Sequence, residues 1–267
     1  MFRTVHYKIS SSNIPHSFDG FRIVHLSDLH GAFFGSGNYL LLQGIQKIKP
    51  DMIVMTGDMA DNSSHAIERV TELCRKLCRK YPVYFAAGNH EQCLKGKGQE
   101  TLIKSLKDMG IKVLYNSWET ISRGGSYIKI YGLVTPMIYY KDRLREYKRG
   151  VSFTKTDAER FLGKTDASCY QILLAHNPLY FPSYRDWGAD LTFSGHIHGG
   201  IIRIPGMGGL LSPDMTFFPK YDGGHFEEQG RHLVVSRGLG NHFLMRVMNP
   251  PELVAVTLGQ RVRFARK

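Results

Sequence analysis

The run Ser194-Gly195-His196-Ile197-His198-Gly199-Gly200 places two imidazoles one residue apart, between glycines and directly after the apolar stretch Leu191-Thr192-Phe193. Such a run reads as a strand ending in a tight loop that presents two imidazoles. Neutral imidazole is the commonest protein ligand for a metal ion. A His-x-His pair alone is more often two solvent-facing or capped histidines, so the metal reading needs partners elsewhere in the chain.

Those partners stand at the ends of other apolar runs. Residues 21–27 close on Asp28-Leu29-His30-Gly31, residues 51–56 on Gly57-Asp58-Met59-Ala60-Asp61, residues 82–87 on Gly88-Asn89-His90-Glu91, and the run from Tyr170 closes on His176. Each loop offers oxygen or imidazole nitrogen, the donors that manganese, iron and zinc accept. A single Asp or His after a strand is usually a turn former or a cap; recurrence is what points to a metal. Asp28, Asp58 and Asn89 with His30, His176, His196 and His198 exceed the needs of one tetrahedral ion. Two divalent cations (manganese, iron or zinc) are therefore expected, sharing a carboxylate, and Asp58 in the middle of the set is the natural bridge.

The elements that carry these loops follow from periodicity. Asn38 caps a helix through Lys49, with Leu41, Leu42, Ile45 and Ile48 at helical spacing, and a second helix runs from Ser63 or Ser64 to Lys80 with Ile67, Val70, Leu73, Cys74 and Leu77 on one face. Strand, polar loop and helix recur, as an α/β sheet requires, and ligands then belong at the carboxyl ends of the strands. The second half is richer in strands: 127–132, 170–176, 191–194, 232–236 and 253–258, with a helix over 156–162 between the first two. No low-complexity block or fixed-period repeat divides the chain. The reading is an α/β (α+β) fold of two sheets in one domain over residues 21–267, preceded by an arm or edge strand over residues 1–20.

Composition narrows the class. A chain of 267 residues can bury a full core. No stretch reaches ~18 consecutive apolar residues and the first seven residues lack the apolar centre of a signal peptide, so neither a membrane span nor an export signal is expected. The expected location is cytoplasmic, with peripheral contact at a membrane. Cys74 and Cys78 read as core thiols on a helix and Cys93 and Cys169 stand apart, which fits a reducing compartment better than a disulfide framework. The net charge of +12 concentrates anions near the surface: phosphorylated substrates, nucleic acid or anionic lipid headgroups. Much of the excess lies in residues 95–112 and 141–164, where two solvated helix faces explain it equally well.

Asp28-x-His30, Gly57-Asp58-x-x-Asp61, Gly88-Asn89-His90-Glu91, His176 and Gly195-His196-x-His198 resemble, in order and identity, the five motif blocks of the calcineurin-like metallophosphoesterases over residues 21–200. Phe18-Asp19-Gly20-Phe21-Arg22-Ile23, Ser236-Arg237-Gly238-Leu239-Gly240-Asn241 and Asn249-Pro250-Pro251-Glu252-Leu253 extend the resemblance to the YkuE/YaeI-like branch of that family. The resemblance implies a sandwich of two sheets with helices outside. It implies one metal on Asp28, His30, Asp58 and His198 and the other on Asp58, Asn89, His176 and His196, with Asp61 bracing the loop or a ligating imidazole.

Two such cations share a water and lower its pKa, giving a hydroxide that attacks phosphorus in line. His90, next to the ligand Asn89, is then expected across the substrate from the metals, stabilising the transition state or protonating the leaving oxygen. The expected enzyme is a phosphoester hydrolase, with phosphodiesters favoured over monoesters. The apolar side chains of residues 210–219, just after the ligand loop, and the basic surface fit a lipid-linked phosphate or diphosphate as well as they fit an ordinary packed loop. A nuclease is the alternative, but no interleaved aromatic and basic pattern supports nucleic acid as the partner. A non-catalytic scaffold is the other, and the presence of His90 with every matched ligand weighs against it. His242, beside Asn241, is a further candidate for the border of the site.

Overall fold

The uninterrupted apolar runs become strands buried on both faces. In the computed structural model, which describes residues 1–63, 65–140, 151–200, 202–204, 206–211, 217–240 and 246–261, the first half of the chain reads β1 (Arg3–Ser11), β2 (Arg22–Leu26), α1 (Tyr39–Ile48), β3 (Met52–Met55), α2 (Ala66–Cys78), β4 (Val83–Phe85), α3 (Asn89–Gln92), α4 (Gly98–Asp108) and β5 (Lys112–Val113). The second half follows as β6 (Ser117–Arg123), β7 (Ser126–Leu133), α5 (Lys155–Leu162), β8 (Tyr170–Ala175), α6 (Phe181–Trp187), β9 (Leu191–Ser194), β10 (Ile202–Ile204), β11 (Gly208–Leu211), β12 (Gly224–Glu228), β13 (Arg231–Val235) and β14 (Glu252–Gln260).

Two six-stranded sheets result, ordered β1-β14-β2-β3-β4-β5 and β12-β13-β9-β8-β7-β6, with β10 and β11 as a separate hairpin. β2 to β5 are mutually parallel, as are β7, β8, β9 and β13, so each sheet gathers its strand ends at one edge. Alternation within a strand divides the core. On β3, Met52 and Val54 face the second sheet while Ile53 and Met55 face the helices; on β8, Ile172 and Leu174 face the first sheet while Leu173 and Ala175 turn outward. α1, α2 and α4 cover the first sheet through Leu41, Ile45, Val70, Leu73, Leu102 and Leu106. α5 and α6 cover the second through Ala158, Leu162, Tyr184 and Trp187. The architecture is thus the expected one, two sheets face to face with helices outside, in a single domain.

Strands β5, β6 and β10 to β12 were not anticipated, while α4 lies where a solvated helix face was one of the two readings. Within the lysine-rich residues 95–112 lies α4, held by only two fully buried side chains, Leu102 and Leu106. β1 runs the length of β14 at the edge of the first sheet, paired in parallel from Arg3 opposite Glu252 to Ser11 opposite Gln260. Cys74 is a core thiol, its pKa pushed up to about 12 by burial and then by neighbouring Cys78. Among the described residues, no helix is long and apolar enough to cross a membrane.

Candidate metal centre

Asp28 and His30 leave the end of β2, Asp58 and Asp61 that of β3, His176 that of β8, and His196 and His198 that of β9; Asn89 and His90 open α3 directly after β4. Asp28, His30, Asp58, His196 and His198 all take the left-handed backbone, with φ of 51°, 47°, 51°, 70° and 55°. That region is sparsely populated for residues with a side chain and costs about 1–3 kcal/mol each, so neighbouring structure must enforce it. It does so by cross-loop hydrogen bonds: Asp28 N to Gly57 O (3.0 Å), His30 N to Asp58 O (3.0 Å), Gly195 N to His176 O (3.0 Å) and Gly240 N to Asp28 O (2.7 Å). The loops meet so closely that a β-carbon on Gly195 would collide with the Asp28 carboxylate and the Ser27 hydroxyl.

The side chains converge at the mouth between the sheets. Three overlapping groups have their potential ligand atoms within 4.8 Å of one another: Asp28, His30 and His198; His30, Asp58 and His90; Asp58, His176 and His196. His198 Nε2 is 3.3 Å from Asp28 Oδ1 and 3.2 Å from His30 Nε2, and His176 Nε2 is 3.0 Å from Asp58 Oδ2. Asp58 belongs to two of the groups and also accepts the His90 backbone N–H at 2.8 Å. Asp61 Oδ2 stands 3.6 Å from His30 Nδ1, on the side of that ring away from His198. His90 Nε2 lies 3.8 Å from Asp58 Oδ2 and its ring packs edge-on to His30, centroids 4.7 Å apart.

The buried ionisable groups of the cluster shift one another. Burial raises the Asp58 pKa, but the charges and hydrogen bond of His176, then His90 and His30, outweigh it and hold the carboxyl well below its usual range. Burial lowers His176, yet Asp58 and then Asp28 lift it to about 9. His30 is also raised, because Asp61, Asp58 and Asp28 overcome its burial. His198 goes the other way, well below 6.5, through burial and then the positive charge of His30 and Arg246.

The donor set fits divalent cations. It consists of carboxylate, amide and imidazole groups, and no cysteine belongs to it among the described residues. Asn89 Oδ1 is buried with no hydrogen-bond partner among the described residues, a cost that a cation would relieve. His176 Nδ1 faces the Thr56 carbonyl at 2.7 Å, which leaves Nε2 for the cluster, the usual arrangement of a metal-binding imidazole.

Three supporting residues carry no role in the sequence reading. Glu91 is fully buried and its carboxylate accepts the backbone N–H groups of Asp58 (2.8 Å), Met59 (2.7 Å), Ala60 (3.0 Å) and Gly88 (2.8 Å), tying the β3 loop to the β4 loop. Burial and then Asp58 push its pKa up, and the N–H donors of Ala60, Gly88 and Asp58 oppose them. Asn249 donates through Nδ2 to the carbonyls of His198 (2.6 Å) and Gly200 (2.7 Å), and Arg246 Nη2 lies 3.2 Å from His198 Nδ1. Glu91 and Asn249 stand inside the motifs quoted above; nothing local in the sequence marks Arg246. Glu91→Ala should cost at least about 3 kcal/mol in chemical denaturation, because four buried N–H groups lose their acceptor together. An unchanged midpoint would show that those amides find other partners. His242, Asn241, residues 212–216 and residues 141–150 lie outside the described residues.

The sequence model for calcineurin-like phosphoesterases matches residues 21–200, and the chain belongs to that family. It is 32% identical over 270 residues to the metallophosphoesterase YkuE of Bacillus subtilis, covering 97% of this chain and 86% of that one. It is 25% identical over 248 residues to the phosphodiesterase YaeI of Escherichia coli, covering 89% and 82% of the two chains. Over 286 aligned residues it is 25% identical to the UDP-2,3-diacylglucosamine pyrophosphatase LpxG of Chlamydia trachomatis, covering 90% and 85%. Membership in the family, together with the Asp/His cluster, makes this chain a metal-dependent phosphoester hydrolase.

Proposed function

We propose that the chain is a dinuclear hydrolase of phosphodiesters or diphosphates, with a lipid-linked phosphate or diphosphate as its natural substrate. The observation that carries this reading is the convergence, from the strand ends of both sheets, of oxygen and nitrogen donors in overlapping groups that share Asp58. Asp28, His30, Asp58 and His198 hold one cation and Asp58, Asn89, His176 and His196 the other, while Asp61 orients His30. Cations bound there supply an activated water and neutralise the phosphate oxygens. The chain's own part is to fix the ligands in strained loops and to exclude water beneath them, where His176 and Asp28 have fully buried side chains.

His90 is the proposed catalytic residue. Its side chain is 21% exposed, more open than the other imidazoles of the first two groups, so it can reach a leaving oxygen from the solvent side and give it a proton. The diester and diphosphate preference is supported by the similarity to the phosphodiesterase YaeI and the pyrophosphatase LpxG, and the lipid part by the diacylglucosamine on which LpxG acts. The test is a panel of p-nitrophenyl phosphate, bis(p-nitrophenyl) phosphate, UDP-diacylglucosamine and single-stranded DNA, assayed after reconstitution with manganese, iron or zinc. Diester and lipid diphosphate turnover above monoester turnover is the expected result. No hydrolysis with any metal would remove the reading, and preferred cleavage of DNA would replace its substrate class.

Metal loading should depend on pH. The folded-state pKa of His176 is raised from 6.5 to about 9, so its pairing with Asp58 stabilises the ion-free fold fully below about pH 6.5, a contribution lost as pH rises through about 9. A cation on the same nitrogen must displace that proton, so manganese affinity should strengthen from pH 6.5 toward 9, with proton release on binding. Titration calorimetry in two buffers of different ionisation enthalpy reads both, and an affinity flat over that range with no proton release would contradict the assignment of His176.

A further inference from the structure

We infer that the end of the sandwich carrying the cluster seats against an anionic lipid surface, with Phe33, Met207 and Phe217 entering it. This inference rests on the lipid-linked substrate proposed above and adds the surface by which that substrate is reached. Phe33 follows β2 and Ile138 follows β7, at strand ends on the edge where the cluster lies. Met207 is in the turn between β10 and β11, Phe217 bridges back to Leu211, and Met248 adjoins Val247, which bridges to Ile202. These three thus belong to the β10–β11 hairpin, which Arg203 ties to the Gly199 carbonyl beside the ligand loop, and all five side chains are exposed. Phe33, Met207 and Phe217 are 59%, 66% and 67% exposed, far more than a scatter of partly covered surface groups requires. The opposite end, where β6 turns into β7, exposes Tyr127.

Cations accompany these side chains. The Arg69 guanidinium lies over the Phe33 ring at 4.9 Å, and Lys95 and Lys97 are exposed on the segment between α3 and α4, which follows the cluster end of β4. The chain as a whole carries +12. Lysine is depleted in the cores of protein–protein interfaces, whereas Lys and Arg beside an anionic bilayer are drawn to its headgroups. Apolar tips on separate loops with cations between them therefore fit a lipid surface better than a protein partner. At the same end, Met1, Phe2, Phe33, Phe34 and Leu40 line the mouth of an open groove of about 610 Å³ between β1 and α1 that runs down to Lys47 and Ile48.

The test is co-sedimentation of the metal-loaded full chain with vesicles of phosphatidylcholine alone or with phosphatidylglycerol. The wild-type chain should sediment with the phosphatidylglycerol vesicles and not with pure phosphatidylcholine. Phe33→Ser/Met207→Ser/Phe217→Ser should bind at least about tenfold more weakly, since each apolar side chain buried is worth more than the free energy of a tenfold change in affinity. Tyr127→Ser should bind as wild type, and all variants should hydrolyse bis(p-nitrophenyl) phosphate at the wild-type rate. Wild-type protein left in the supernatant, or a triple variant that sediments undiminished, would overturn the docking surface. Hydrolysis of the soluble diester without vesicle binding fails this inference alone; vesicle binding without hydrolysis fails the proposed activity alone. A dimer in sedimentation velocity that the triple variant dissolves, with no vesicle binding, would assign the rim to a second copy of the chain instead.

Discussion

Asp58→Asn should lower turnover by about 10³-fold or more, the equivalent of several kcal/mol of transition-state charge stabilisation, while the protein stays folded. Asn preserves the shape of the side chain and one carbonyl oxygen. It removes the charge that faces His176 at 3.0 Å and replaces the second acceptor oxygen with a donor. The loss falls on both proposed cations at once, because Asp58 belongs to the groups of His30 and of His176 alike. Metal content measured alongside turnover should fall by at least one ion per chain. A variant that keeps full metal and near-normal turnover would remove Asp58 from the bridge.

His90→Ala should behave differently: turnover falls by about 10²- to 10⁴-fold, as for loss of a general acid, with metal content unchanged. The drop should be larger for an alkyl diester than for a p-nitrophenyl diester, whose leaving group needs no proton. The comparison separates acid from ligand, since His90 Nε2 lies near Asp58 and within one of the potential ligand groups. Metal loss in the variant, with an equal effect on both esters, would make His90 a ligand instead of an acid.

The strands and helices that build the site are readable because each buries a face in a simple period. β3 and β8 bury both faces and appear as short unbroken apolar runs, and α2 presents Val70, Leu73, Cys74 and Leu77 at helical spacing. Helix α4 shows in the sequence only as a lysine-rich face, since two buried leucines in eleven residues leave a weak pattern. Strands β6 and β12 are concealed by solvent: as sheet edges neither keeps a fully buried position. The residue types at the strand mouths are equally visible, because oxygen and imidazole donors after apolar runs are a local pattern. What holds them is not local. The left-handed backbone at Asp28, Asp58 and His196 is imposed by contacts across loops, and Glu91 reaches amides more than thirty positions away in sequence to join two of those loops. Arg246 meets His198 across 48 positions, and no motif or period announces such a pairing.

The central claim is that side chains from both sheets enclose a pair of cations with Asp58 between them. Anomalous scattering from crystals of the manganese-loaded chain reads this directly. Two peaks about 3.5–4 Å apart are expected, one beside Asp28, His30 and His198 and the other beside Asn89, His176 and His196, with the Asp58 carboxylate touching both. A single peak, or a pair whose ligands leave out Asp58, would contradict it.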